Sequence, residues 1–177
     1  MKDKRFAYMI FVFIVIVLLI VRQKYLVNKW YKYRDQNIGI ALEYPASWFK
    51  IAFYHCATCQ YIKLFVMDIP VIDQIELRVY SAKQDSIQIQ NATSFGEWII
   101  LENNKNTRIL DRMAVNVGSD NYYGEEIYFE DDNFLGRIVT LKNKERVYAI
   151  EIHAIKKKWD EANSVFDAIL STVEFLE

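Results

Sequence analysis

The chain is 177 residues long, room for one domain and an appendage. Its hydrophobic content of 53% and aromatic content of 15% are high for a soluble domain, and a formal net charge of −1 conceals an uneven distribution. Residues 1–34 hold eight Lys/Arg and one acid, whereas residues 35–177 hold fourteen Lys/Arg against twenty-two Asp/Glu, a balance of −8. So acidic a body argues against nucleic acid as a partner, because neutralising phosphates needs clustered Lys and Arg.

The first element is an uncharged run, Phe6–Val21 (FAYMIFVFIVIVLLIV), sixteen residues that as a helix would cover about 24 Å of a ~30 Å hydrocarbon core. Tyr25, Leu26 and Val27 extend the apolar length, Arg22 and Lys24 can snorkel, and Trp30, Tyr31 and Tyr33 suit an interfacial aromatic belt. Lys2, Lys4 and Arg5 before the run also fit a secretory signal, but Arg22 to Arg34 offers no Ala, Gly or Ser for cleavage. The expectation is one retained transmembrane helix, with residues 1–34 forming anchor and basic linker. Three Lys/Arg precede the span and five follow, so the positive-inside rule alone would leave the domain in the cytoplasm.

Residues 35–177 read as one α+β domain. Gly39 to Tyr44 forms a strand ending at Pro45, and Trp48 to Tyr54 with Tyr61 to Met67 form a hairpin around HCATCQ. Ile75 to Tyr80 alternates apolar Ile75, Leu77 and Val79 with Glu76, Arg78 and Tyr80, the pattern of a half-buried strand. Ser94 and Glu97 form a capping box at the start of a helix that carries Trp98 and ends near Asn103. Four antiparallel strands follow over 108–117, 122–129, 135–141 and 147–154, joined by Gly118–Asn121, Asp131–Asn133 and Lys142–Glu145. A last helix from near Trp159 lines up Ala162, Val165, Phe166, Ile169 and Val173, and STVEF (171–175) regains strand character.

Cys56 and Cys59 are the sharpest local feature. A disulfide between them would close a very short loop worth at most ~2 kcal/mol. A thioredoxin-like pair wants a helix after the first cysteine, and a c-type haem site wants His where Gln60 stands. His55, Cys56, Cys59 and His153 are together the right atoms for zinc, although adjacent His55 and Cys56 would strain a tetrahedral site. The acidic stretch Glu125, Glu126, Glu130, Asp131 and Asp132 could hold a hard cation, but reads first as a solvated turn. His153 shares a strand face with Glu151 and reads as a satisfied boundary residue. No G-x-S-x-G, H-E-x-x-H or phosphate-binding glycine loop occurs, so no catalytic residue and no cofactor is expected.

Ala41 to Phe49 (ALEYPASWF), the helix around Trp98, the succession of strands, Val147 to Ala154 (VYAIEIHA) and the final STVEF together resemble PsbP-like domains over about residues 36–177. That resemblance implies an antiparallel sheet sandwiched by helices, an α/β/α arrangement. The family includes extrinsic photosystem II subunits, bacterial lipoproteins and membrane-anchored proteins, generally binding or assembly factors and many of them extracytoplasmic. The resemblance implies a non-enzymatic, membrane-tethered domain outside the cytoplasm with a protein partner. The alternatives are a small-ligand or metal-binding sensor and a membrane-tethered thiol oxidoreductase using Cys56 and Cys59.

Overall fold

The structure is a computed structural model that describes the backbone of residues 2–26, 29–55, 60–68, 71–83, 94–103 and 106–176, and the side chains of 7–18, 21, 29–48, 75–83, 94–102 and 106–176. In chain order the elements are α1 (Lys2–Leu26), β1 (Trp30–Asp35), β2 (Ile40–Pro45), β3 (Phe49–His55), β4 (Gln60–Asp68), β5 (Val71–Lys83), α2 (Phe95–Asn103), β6 (Arg108–Val117), β7 (Tyr122–Glu130), β8 (Phe134–Asn143), β9 (Arg146–Ile155), α3 (Trp159–Leu170) and β10 (Glu174–Phe175).

Successive strands pair antiparallel, which builds β3-β4-β5 as one meander and β6-β7-β8-β9 as another, the latter through short polar turns after Val117, Glu130 and Asn143. The second meander returns after α2 and lays β9 against β5, so the seven strands run β3-β4-β5-β9-β8-β7-β6. Gly118 fixes the β6–β7 turn: its φ is +74°, and a Cβ there would lie 2.3 Å from the Val173 carbonyl oxygen.

Strand alternation then sorts the sheet into two faces. Leu77, Val79, Ile150 and Ile152 form one core with Ala162, Phe166 and Ile169 of α3 and with Tyr33, Ile40 and Leu42. Tyr80, Ile127, Phe129, Ile138 and Ala149 form the other beneath Phe95, Ile99 and Ile100 of α2. The capping box holds α2 as expected on its serine side, where the Glu97 amide donates to Ser94 Oγ at 3.3 Å. The Glu97 carboxylate meets Arg112 at 2.7 Å.

Three expectations change. Residues 30–34, expected within the linker, form β1 together with Asp35 and pair with β2, and β10 closes a separate three-stranded sheet β1-β2-β10 on the α3 side. Tyr33, expected in the aromatic belt, is 6% exposed in the core, its hydroxyl donating to Asp35 at 2.7 Å. Over residues 75–82, β5 is buried on both faces, not one, because α2 covers the side that carries Tyr80.

α1 runs for 25 residues, longer at both ends than the apolar run. Its side chains over Tyr8–Leu18 are all exposed and form no part of either core. Among the described residues no helix is long and apolar enough to cross a membrane, so the expected span over Phe6–Val21 is not shown.

Candidate functional site

The densest polar chemistry lies on the α2 face of β5 and β9. Register sets Glu76 opposite His153 and Arg78 opposite Glu151, with Tyr80 one pleat further along. The alternation that sends Ile75, Leu77, Val79, Ile150 and Ile152 into the α3 core brings these five polar side chains together on the other side.

Both imidazole nitrogens of His153 face carboxylates: Nε2 is 2.8 Å from Glu76 Oε2, and Nδ1 is 3.2 Å from Glu151 Oε1. Arg78 Nε donates to Glu76 at 3.1 Å, and the Tyr80 hydroxyl donates to Glu151 at 2.7 Å. Two acceptors require two N–H donors, so the ring is an imidazolium. Burial would lower the His153 pKa, but hydrogen bonds to Glu151 and Glu76 outweigh it and hold the group up to about 9. Burial would likewise raise Glu76 and Glu151, and their bonds to His153 pull both below the ordinary carboxylate value. Burial, then the Glu151 charge, push Tyr80 well above its ordinary value. Two carboxylates therefore balance two cations, and the ring has no lone pair for general-base catalysis or metal binding. Phe134 closes the edge, its ring 5.7 Å from the imidazole in a T-shaped contact.

The candidate zinc set is not assembled around His153. His55 ends β3 and pairs with Gln60, Gln60 with Ser81, and Ser81 with Tyr148, five residues along β9 from His153. Three strand spacings across and five residues along place the two histidine positions about 14 Å by 17 Å apart, far beyond a shared ion. Cys56 and Cys59 lie outside the described residues, and with them the disulfide and oxidoreductase readings. Among the described residues no group of three or more His, Cys, Asp or Glu could hold a metal ion.

Four of the five acids of the acidic stretch have partners of their own. Glu126 is buried against Arg137 Nε, Glu125 lies 3.7 Å from Arg112, and Glu130 pairs with Arg108 and, at 3.8 Å, with Lys156. Asp131 accepts from the amides of Asn133 and Phe134, at 3.0 and 2.8 Å, to close its turn. Arg137 further donates to Asp167 at 2.7 Å and Asn163 at 2.8 Å on α3, and lies over the Phe166 and Tyr128 rings at 5.1 and 5.3 Å. It clips α3 to the sheet.

The strand reading paired His153 with Glu151 on one face but missed Glu76, Arg78 and Tyr80 as their partners. The missed signal is α2 itself: Phe95, Ile99 and Ile100 need a sheet face to bury against, so the polar-looking face of β5 and β9 had to be covered too.

Two antiparallel sheets with α3 on one side and α2 on the other define a PsbP-like α+β fold. No protein-family model and no curated protein matches the chain. The fold is similar to that of the solution structure of cyanobacterial PsbP from Synechocystis sp. PCC 6803, with a TM-score of 0.60 at 13% identity over 82% of this chain and 92% of that one. A Bacteroides thetaiotaomicron crystal structure gives 0.42 at 10% identity, over 82% of this chain and 48% of that one, so the chain spans about half of its length. A Pseudomonas aeruginosa protein of unknown function, described as a putative regulator, gives 0.39 at 13% identity over 77% and 90%.

Proposed function

We propose that the chain is a membrane-tethered, extracytoplasmic, non-enzymatic domain that binds or assembles with another protein. The observation that carries the tether is α1: a 25-residue helix, about 37 Å long, over whose described stretch apolar side chains are exposed on every side. A helix apolar all round belongs in a core or in lipid, and its described side chains belong to neither of the described cores. The binding role is supported by the PsbP-like fold and by a polar cluster whose charges are committed to one another. The family resemblance supports the extracytoplasmic side.

Photo-crosslinking in native membranes tests the role. A crosslinker placed in turn at Leu110, Met113 and Tyr123, all exposed on the domain, is expected to give a discrete adduct above the 21.0 kDa chain from at least one position. A full set of exposed domain positions yielding no adduct under the same illumination contradicts a protein partner.

A further inference from the structure

We infer that the first strand of the domain lies on the bilayer surface, with Trp30 and Tyr31 seated among the lipid headgroups, so that the small sheet docks on the membrane that α1 enters. The inference rests on the tether reading and adds to it a lipid-facing surface on the domain itself.

Chain length makes the first argument. α1 ends at Leu26, and the carbonyl of Lys29 already accepts from the Ala46 amide at 2.8 Å, so the domain's hydrogen bonding begins three residues after the helix. The apolar run ends at Val21, five helical residues or about 7.5 Å before Leu26, three Cα steps add at most about 11 Å, and the headgroup layer on each side of the hydrocarbon is itself roughly 5–8 Å deep. So short a connection limits the start of β1 to within about 19 Å of the hydrocarbon edge and lets it reach the interface.

Side chains make the second. Trp30 and Tyr31 are 40% and 47% exposed, whereas Tyr33, two positions further along the same strand, is in the core. Consecutive strand residues point to opposite faces, so Trp30 stands beside Pro45 on one face and Tyr31 meets Tyr44 edge-on at 6.2 Å on the other. Amphipathic rings exposed on both faces of a strand end suit a boundary that is apolar below and wet above. Lys29, exposed at the same end, favours anionic headgroups. Of the carboxylates on the neighbouring strands, Glu174 is held by Lys32 at 2.9 Å, and Glu43 sits opposite Lys32 in the register.

The test uses the full chain in vesicles of phosphatidylcholine and phosphatidylglycerol, with bromine on the acyl chains close to the headgroup, and reads tryptophan emission alongside flotation. The chain has four tryptophans: Trp48 is buried, and Trp98 and Trp159 are partly buried against the two cores. The expected result is flotation with quenching that is lost in Trp30→Phe and retained in Trp159→Phe. Flotation with quenching unchanged in Trp30→Phe, or with none in the parent chain, overturns the inference and leaves the tether standing. Failure to float overturns the tether and the inference together. Protection of Trp30 that follows protein concentration and not bromine assigns the surface to a second copy and also overturns it. Should Trp30→Phe lose its thermal transition, iodide accessibility of the parent chain decides: Trp30 shielded on vesicles supports the inference, and equal accessibility with and without vesicles overturns it.

Discussion

His153 is the residue on which the pH behaviour of the fold turns. Its folded pKa, about 9, lies above the ordinary 6.5, so its contribution is fully present below pH 6.5 and is lost as pH rises through 9. Glu76 and Glu151 are shifted the other way, so theirs is present above the ordinary 4.5 and is lost as pH falls. Thermal melts across pH are expected to show greatest stability between those values, with a loss on the order of 3 kcal/mol from pH 6.5 to 9. His153→Gln is expected to flatten that alkaline limb and to cost roughly 3–5 kcal/mol near pH 6, since it leaves two buried carboxylates short of a cation. An alkaline limb unchanged in the variant would remove His153 as its source. Gly118 gives a steric counterpart: Gly118→Ala must hold a positive φ and push against the Val173 carbonyl, so a melting temperature equal to the parent's would contradict the described turn.

At the scale of elements, α3 is held by apolar burial and by one cation. Phe166→Ala opens a fully buried site and is expected to cost about 3–5 kcal/mol in denaturant titrations. Arg137→Ala is expected to cost a similar amount because it strands Glu126, and Arg137→Lys is not expected to rescue it, since one ammonium cannot reproduce a planar fork spanning Glu126, Asp167 and Asn163. Full rescue by lysine would mean that charge alone holds the helix. Elements were legible wherever period and punctuation agreed: Ser94 and Glu97 announced α2, the turn residues from Gly118 onward divided β6 to β9, and Ala162, Phe166 and Ile169 announced the inner face of α3. β1 was not, because Trp30 to Arg34 mixes aromatic with basic residues beside an apolar helix and so resembles a membrane border. What makes it a strand is its pairing with β2, contacts that only the assembled domain supplies. The polar cluster was half legible: Glu151 and His153 shared a visible face, but their partners lie on β5, some seventy residues away in sequence, and the register that joins them comes from the returning meander.

For the molecule as a whole, the sheet and its two covering helices form one folded domain, and the described side chains of the apolar α1 belong to neither of its cores. The antiparallel sheet and its two main helices were legible because each element kept its own period, whereas the α/β/α layering came from the family resemblance; the separate three-stranded sheet was not legible, because its last strand is only two residues long. The measurement that bears most directly on the proposed function is the activity of a C-terminal alkaline phosphatase fusion in the carbonate-washed membrane pellet, since this reporter folds only outside the cytoplasm and carbonate strips peripheral proteins. A tethered extracytoplasmic domain predicts active enzyme retained in the pellet. Inactive fusion in the pellet would put the domain in the cytoplasm, and activity released into the wash would show that α1 does not hold the chain in the bilayer.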